Sequence, residues 1–555
     1  MAHSADMSIP PLRRPALSLN WSTIWDRIAE ADPTRTALVW RDERLTFAEL
    51  EDRAARMAGW LQARGVRRGD RVACLLNNRP EYVITMYAAM KLGAAPVNLN
   101  FRYASAELRH VVEMTRPRVV VAAGALVDRL VEASSGMTTP PLVVRVEDGT
   151  PPSSTPVVTF DESLASPRCE EDARSGGDRI FLLTGGTTGM PRAVVYRHDV
   201  VLDSQLVSAY GTLGAEFPHD LDEAVALAVD PDLEHPITLP ITPLMHAMAF
   251  FNAMNTLLTG GTLVFLDSRR FDPAATIDTV AAHRVTRLII AGDAVAVPLV
   301  EELERRPTTR LDSLRSIMSS GMAWGDRSKR ALLERTDAEL IDIVGASEGG
   351  PFAMARTSSV ADLPSRLRLL PGAVLLAESG EEIAPEPGAV GLLAYRGATP
   401  EGYFEDPART ATVYRNVGPI RYLVPGDWAR YEADGATMLG RGDAVVNSGG
   451  ENVYPAEVEA VLAEHAAVAD CVVFGLSDER WGEIVAAAVE LRPGAAASVQ
   501  ELQEHVGARL AGYKKPRHIS VGPVERGATG KVRLPALRAR AEAERSTAAR
   551  PPTTP

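Results

Sequence analysis

The sequence predicts an α/β protein: a large N-terminal domain of helix-covered sheets plus a small β-rich part, then a small mobile C-terminal α/β domain. Three observations predict it. Short apolar runs alternate with helical stretches across the first two-thirds of the chain, the pattern of a mostly parallel sheet covered by helices. From about residue 371 Gly, Pro and Asp become frequent and the apolar runs shorten. After Gly440-Arg441-Gly442-Asp443 a self-contained helix-and-strand unit begins, and a Gly-flanked junction suits a hinge. With 555 residues the chain is too long for one core.

Residues 1–18 hold prolines and little periodicity, and read as a disordered arm. Thr46-Phe47-Ala48-Glu49 is a capping-box pattern, and Phe47, Leu50, Ala54, Met57, Ala58 and Leu61 follow at helical spacing until Gly65. Strands are expected at 71–76, 96–99 and 118–122, with a helix at 81–92. Residues 133–158, rich in Ser, Thr and Pro, read as a surface connection, and acidic, turn-rich 211–236 as an insertion. Residues 245–259 read as a buried helix followed by a strand at 262–266. Helix and strand then alternate from 275 to 344, with Pro298 expected at the first position of its helix, where its missing N–H costs nothing. Short strands are expected at 390–394, 421–424, 429–431 and 437–439. In the last unit, helices are expected at 455–462 and 499–510 and strands at 469–474 and 484–489. The expected domains are thus 19–440 and 441–540, with 541–555 a disordered tail.

Composition narrows the function. Net charge is −13 without a long basic run, which argues against a nucleic-acid backbone as partner. The uncharged stretch 237–266 is interrupted by His246, Asn252, Asn255 and Gly260-Gly261, which argues against a transmembrane segment. The N-terminus lacks a secretory pattern, and three widely spaced cysteines suggest no disulfide framework. A cytoplasmic location fits both.

The most informative stretch is Thr184-Gly185-Gly186-Thr187-Thr188-Gly189-Met190-Pro191-Arg192. Apolar residues on both sides make it a loop between two strands. Glycines let backbone N–H groups converge on an anion, threonines add hydroxyl donors, and Arg192 adds a permanent charge. It lacks the Gly-Lys-Ser/Thr of the common P-loop. Taken locally, the same residues would also make a plain hairpin turn.

Five further stretches line up behind it: Thr242-Pro243-Leu244-Met245-His246-Ala247, Val344-Gly345-Ala346-Ser347-Glu348-Gly349-Gly350, Val424-Pro425-Gly426-Asp427, Gly440 to Glu457, and Gly527-Ala528-Thr529-Gly530-Lys531. In order and spacing the series resembles the adenylate-forming (ANL) superfamily of acyl-CoA synthetases, peptide-synthetase adenylation domains and firefly-type luciferases. The finer wording, including Gly292-Asp293-Ala294, is similar to bacterial synthetases acting on fatty and steroid side-chain acids.

The resemblance implies ATP and CoA as co-substrates and Mg²⁺ as cofactor. It assigns ATP to Thr184 through Gly189, Arg192, Ser320, Gly321, Gly345, Ala346, Ser347, Asp427, Arg441 and Lys531. It assigns Mg²⁺ to Glu348 and Thr187, catalysis to Lys531, His246 and Glu348, CoA to Ser448, Gly449 and Gly450, and the hinge to Asp443. Val344 stands where the family has an aromatic, Ser347 where it has Thr, and Asn447 where it often has Lys. Ala247, Phe250, Phe251 and Met254 are the expected pocket walls; core packing would explain the larger three equally well.

The expected activity is ATP-dependent activation of a carboxylic acid to an acyl-adenylate, with pyrophosphate released, and transfer to CoA. A carboxylate is a poor acyl donor, and AMP is a far better leaving group than oxide. Amino-acid-activating relatives usually carry an aspartate where Ala247 stands, so an acid without an α-amine is expected: a fatty acid, a steroid side-chain acid or an aryl acid. Loading of a separate carrier protein, activation of nitrite for diazo formation, and a non-catalytic binding role remain as alternatives. A homodimer stays open.

Overall fold

The computed structural model describes residues 19–151, 155–170, 174–184, 190–211, 213–268, 270–441, 445–448, 451–478, 482–510, 512–526 and 532–548. The chain forms two compact units, residues 1–373 with 395–423, and residues 374–394 with 424–555.

The first unit holds two sheets. The eight-stranded one runs, edge to edge, through Gly402–Tyr403, Arg192–Arg197, Arg179–Thr184, Ala95–Asn98, Arg71–Leu75, Val119–Ala123, Leu142–Val146 and Val158–Thr159. The nine-stranded one runs through Arg368–Leu369, Gly349–Thr357, Glu339–Ala346, Ser316–Ser320, Arg287–Ile290, Ile237–Pro240, Thr262–Phe265, Thr36–Trp40 and Glu43–Thr46. The helix Pro80–Lys91 packs against strands of both sheets. Every residue of it except Glu81 is buried, so it shows no polar face, as a helix enclosed on all sides should. The capping box at Thr46 and Glu49 forms as expected: Thr46 Oγ1 accepts from Glu49 N at 3.2 Å, and the Glu49 carboxylate from Thr46 N at 2.8 Å.

Three local expectations are corrected. Residues 133–158 are not only a surface connection, because Leu142–Val146 and Val158–Thr159 extend the sheet in parallel. Residues 211–236 contain the helix Leu221–Val229, capped by Asp220, whose side chain accepts from Glu223 N at 2.9 Å. Pro298 lies inside the helix Asp293–Arg305 rather than at its start. There Asp293 N donates to Ala323 O at 2.9 Å, and the Asp293 carboxylate accepts from Gly325 N at 3.0 Å. These two ties begin the helix before the proline is reached.

In the second unit, the strand Asp427–Glu432 pairs with Gly435–Arg441 and with the start of Val390–Arg396. A separate sheet carries Glu451–Val453, Val446–Ser448, Gly482–Leu491, Val468–Asp478 and His518–Val521. The helices Pro455–Ala463, Val499–Gly507 and Leu534–Ala548 accompany it. The last runs past Arg540, where the sequence suggested an irregular tail. Among the described residues, no helix is long and apolar enough to cross a membrane.

Candidate active site

The strands Thr36–Trp40, Thr262–Phe265, Ile237–Pro240, Arg287–Ile290, Ser316–Ser320 and Glu339–Ala346 run parallel. From Ile237–Pro240 the chain lays Thr262–Phe265 on one side, then returns to lay Arg287–Ile290 on the other. In open α/β sheets such a reversal opens a crevice at the carboxyl ends of the strands, where ligands bind. Four of the loops singled out in the sequence leave these carboxyl ends: 241–246, 291–293, 320–325 and 345–348.

Loop 241–246 is pinned from the other sheet of the same unit. Asn78 donates to Pro240 O at 2.9 Å and to Thr242 O at 3.1 Å, and its Oδ1 accepts from Leu244 N at 2.7 Å. Tyr82 Oη and Asn98 Nδ2 each donate to Leu244 O at 3.2 Å. The loop delivers His246, exposed, to the N-cap position of the helix Ala247–Leu258, whose positive end faces the crevice. Ala247 is the first helical residue.

Of the expected pocket walls, Phe250 and Met254 are fully enclosed. The Phe250 ring lies 6.2 Å from Trp21, so it packs the core behind the helix. Phe251, 8% exposed, packs 5.5 Å from Tyr196. The apolar surface beside the helix start is instead Met248 and Met354, partly buried against Ile289, Met318, Ile341 and Ile343. Met354 belongs to none of the sequence motifs.

Ser320 ends its strand opposite Ile343, and Gly321 follows at φ 81°. This loop is tied to the 291–293 loop: Gly292 N donates to Ser319 Oγ at 2.8 Å, and the Asp293 carboxylate also accepts from Ser328 Oγ. Ser347-Glu348 is the two-residue tip of the hairpin Glu339–Ala346 and Gly349–Thr357, with Ala346 opposite Gly349. Gly345 is exposed and would meet nothing with a Cβ, which leaves its backbone open to a flat ligand.

The Thr184 to Arg192 stretch does join two antiparallel strands, with Thr184 opposite Arg192. Residues 185–189, which carry Gly185, Gly186, Thr187, Thr188 and Gly189, lie outside the described residues. Arg192 Nε meets Asp406 Oδ2 at 3.3 Å, a partner the sequence did not signal.

Three tyrosines also escaped the sequence reading. Tyr403 Oη donates to Glu348 Oε1 at 2.6 Å, Tyr414 Oη to Glu348 O at 2.7 Å, and Tyr196 Oη to Ser347 O at 2.9 Å. Burial pushes all three phenol pKa values up. The Glu348 charge adds to this as the second cause at Tyr196 and Tyr403 and follows the Tyr196 charge at Tyr414. They are therefore donors.

In the second unit Asp427 lies directly opposite Arg441 across the antiparallel pair, so two residues expected at the nucleotide are ladder neighbours. Ser448 is buried at the end of its strand. Asp443, Gly449, Gly450 and Lys531 lie outside the described residues, as does the Arg441 side chain. Contacts do cross the 442–444 segment. Arg430 and Lys514 both donate to Glu457, and the Trp428 and Tyr454 rings lie 6.1 Å apart.

Comparison with known proteins agrees with this geometry. Residues 25–404 match the family model described as AMP-binding enzyme, and residues 457–531 that described as AMP-binding enzyme C-terminal domain. The chain is 36% identical over 526 residues to a medium/long-chain-fatty-acid–CoA/3-oxocholest-4-en-26-oate–CoA ligase of Mycobacterium tuberculosis, covering 93% of this chain and 95% of the relative. It is 33% identical over 530 residues to a 3-oxocholest-4-en-26-oate–CoA ligase of Rhodococcus rhodochrous, covering 93% and 94%. Among solved structures, the o-succinylbenzoate CoA synthetase of Bacillus subtilis, with its acyl-adenylate intermediate, superimposes with a TM-score of 0.75. That pair is 25% identical, with 94% of this chain and 97% of the other covered.

Proposed function

This chain belongs to the family of AMP-binding enzymes, and from that premise we propose which acid it takes and which residues act on it. It is an acid–thiol ligase. It uses ATP to turn a carboxylic acid into an acyl-adenylate, releasing pyrophosphate, and passes the acyl group to CoA. The observation that carries the site is that four motif loops leave the carboxyl ends of neighbouring parallel strands in one sheet. Neither carrier loading, nitrite activation nor a purely binding role gains support from the likenesses.

In the proposed reading, the adenine lies against the backbone of Gly345 and Ala346 and against Ser320-Gly321. Val344 offers no aromatic face, so the base is held by backbone groups. Ser347 supplies the hydroxyl of the family's Thr. Asp427 accepts from the ribose hydroxyls, and Arg441 and the 184–189 loop meet the phosphates. His246 and the start of its helix sit beside the acyl carboxylate, where a helix N-terminus favours negative charge. Glu348 suits Mg²⁺, which takes one or two protein carboxylates and fills its shell with substrate phosphate and water. Bound there, with Thr187 as the second proposed ligand, Mg²⁺ would neutralise the triphosphate. Lys531 relieves the repulsion between the acyl carboxylate and the α-phosphate. Rotation about Asp443 then exchanges Lys531 for the Gly449-Gly450 face, which the pantetheine arm of CoA passes closely.

The proposed acid has no α-amine and a long apolar body: a medium- or long-chain fatty acid or a steroid side-chain acid, with an aryl acid as the shorter variant. Ala247 provides no carboxylate for an ammonium, and burying one unpaired is strongly unfavourable. Met248 and Met354 give a deformable apolar wall, and Ala247 and Phe251 are proposed to continue it. A panel of acids in a pyrophosphate-release assay, with and without CoA, tests this. Saturated acids of about eight carbons or more should exceed acetate by at least about tenfold in kcat/KM, since each buried CH₂ contributes about 0.8 kcal/mol. Preference for an α-amino acid over its deamino analogue overturns the reading.

Arg192 is proposed to hold the pyrophosphate end of ATP. Arg192→Lys should retain activity, because the charge survives. Arg192→Ala should raise the KM for ATP about tenfold, as expected for loss of one charge-assisted hydrogen bond. An unchanged KM in the alanine variant removes Arg192 from the nucleotide site.

A further inference from the structure

The short segment Gly402 to Asp406 touches both ends of the proposed phosphate site. Tyr403 donates to the Glu348 carboxylate, and Asp406 pairs with Arg192. Its backbone is firmly placed. Gly402 and Tyr403 lie in the ladder opposite Val195 and Val194, on the strand that begins with Arg192. Tyr403 N donates to Thr410 Oγ1 at 2.9 Å. Gly402 takes φ 135°, and a Cβ there would come within 2.3 Å of Thr410 Cγ2, so the strand enters in one way only. Tyr403 is 8% exposed, its ring 6.5 Å from that of Tyr414.

The donor type matters. A lysine or arginine at this distance would neutralise Glu348 and compete with a metal ion for it. A phenol engages one carboxylate oxygen while leaving the negative charge in place, and it fixes a side chain that would otherwise sample several rotamers. Tyr414 and Tyr196 do the same for the backbone of the tip, through the carbonyls of Glu348 and Ser347.

We propose that Tyr403 is a positioning residue for the metal site: it commits Glu348 Oε1 and presents the second carboxylate oxygen to the metal of the metal–ATP complex. Through Asp406 the same segment sets Arg192, so the carboxylate and the phosphate-loop cation keep a fixed spacing. This rests on Glu348 being the carboxylate that meets the metal.

The test uses the full chain with Mn²⁺ as probe, measuring by electron paramagnetic resonance how ATP-bound Mn²⁺ is held by the protein, with metal-free ATP binding followed by calorimetry. Tyr403→Phe keeps the ring and removes only the hydroxyl. It should weaken Mn²⁺–ATP binding about tenfold, the scale of a hydrogen bond to a charged group, and leave metal-free ATP binding unchanged. Glu348→Gln should weaken it further, and Tyr403→Phe should then add nothing. If Glu348→Gln binds Mn²⁺–ATP normally, the metal assignment of Glu348 fails. If Glu348→Gln is weakened but Tyr403→Phe is not, the Tyr403 proposal alone fails. Equal weakening with and without metal, or full additivity of the two substitutions, also overturns it, because Tyr403 would then act on packing and not through Glu348.

Discussion

Lys531→Ala should lower the rate of acyl-adenylate formation by about 10²–10³-fold, the usual cost of losing one preorganised contact to developing charge. In the first half-reaction an anionic carboxylate attacks an anionic phosphate. A cation that touches both lowers that barrier, and no neutral group substitutes for it. The second half-reaction starts from a mixed anhydride and a thiol, where this cation has no role. Thioester formation from a supplied acyl-adenylate should therefore stay within about threefold of the parent, less than one hydrogen bond's worth. Pyrophosphate exchange reports the first step and acyl-CoA formation from synthetic acyl-adenylate the second. Equal loss in both assays would mean that Lys531 serves folding or domain placement, and would remove the case for exchanging catalytic faces by rotation at Asp443.

The second large effect is expected at a glycine. Gly292 takes φ 47°, and a Cβ there would lie 2.1 Å from Ala323 O and 2.8 Å from Met322 O. Those are backbone atoms and cannot rotate away. Gly292→Ala has to push apart the two crevice loops that Asp293 and Ser319 hold together. At φ 47° and ψ −145° the backbone is open essentially only to glycine, at a cost of about 1–3 kcal/mol for a side-chain-bearing residue, and each broken tie adds about 1 kcal/mol. A total near 3 kcal/mol should lower the apparent melting temperature by several degrees and weaken ATP binding, because the loop bearing Ser320-Gly321 shifts. Gly321→Ala is the control. Its φ of 81° is also positive, but a Cβ there meets nothing within 4 Å, so only the cost of a positive φ, about 1 kcal/mol, remains. Differential scanning fluorimetry on the two variants decides it. Equal destabilisation would show that backbone conformation, and not the Ala323 contact, sets the cost.

Where a residue's role is stated by its immediate neighbours, the amino-acid order was enough. The capping box at Thr46 and the strand–loop–strand around Thr184 and Arg192 each depend on a few consecutive residues, so their chemistry is written locally. The same holds for the family, since its motifs are short loops leaving strand ends. Length and hydrophobic rhythm determined the fold class in the same way. The helix Ala247–Leu258 marks the boundary. Its apolar composition was plain, but not which side chains face the crevice and which face Trp21, because a helix that is apolar all round carries no sign of its orientation. Only the packed structure turned Phe250 and Met254 inward and left Met248 beside Met354.

The support of the site belongs wholly to tertiary structure. Tyr403 reaches Glu348 across 55 residues, Tyr414 across 66, Asn78 reaches Leu244 across 166, and Asp293 meets Gly325 across 32. A tyrosine or asparagine far from any motif is chemically indistinguishable in sequence from any other buried polar residue. What selects it is the hydrogen-bond partner that folding brings to within 3 Å, and that partner is fixed by sheet order and loop path rather than by the residues on either side.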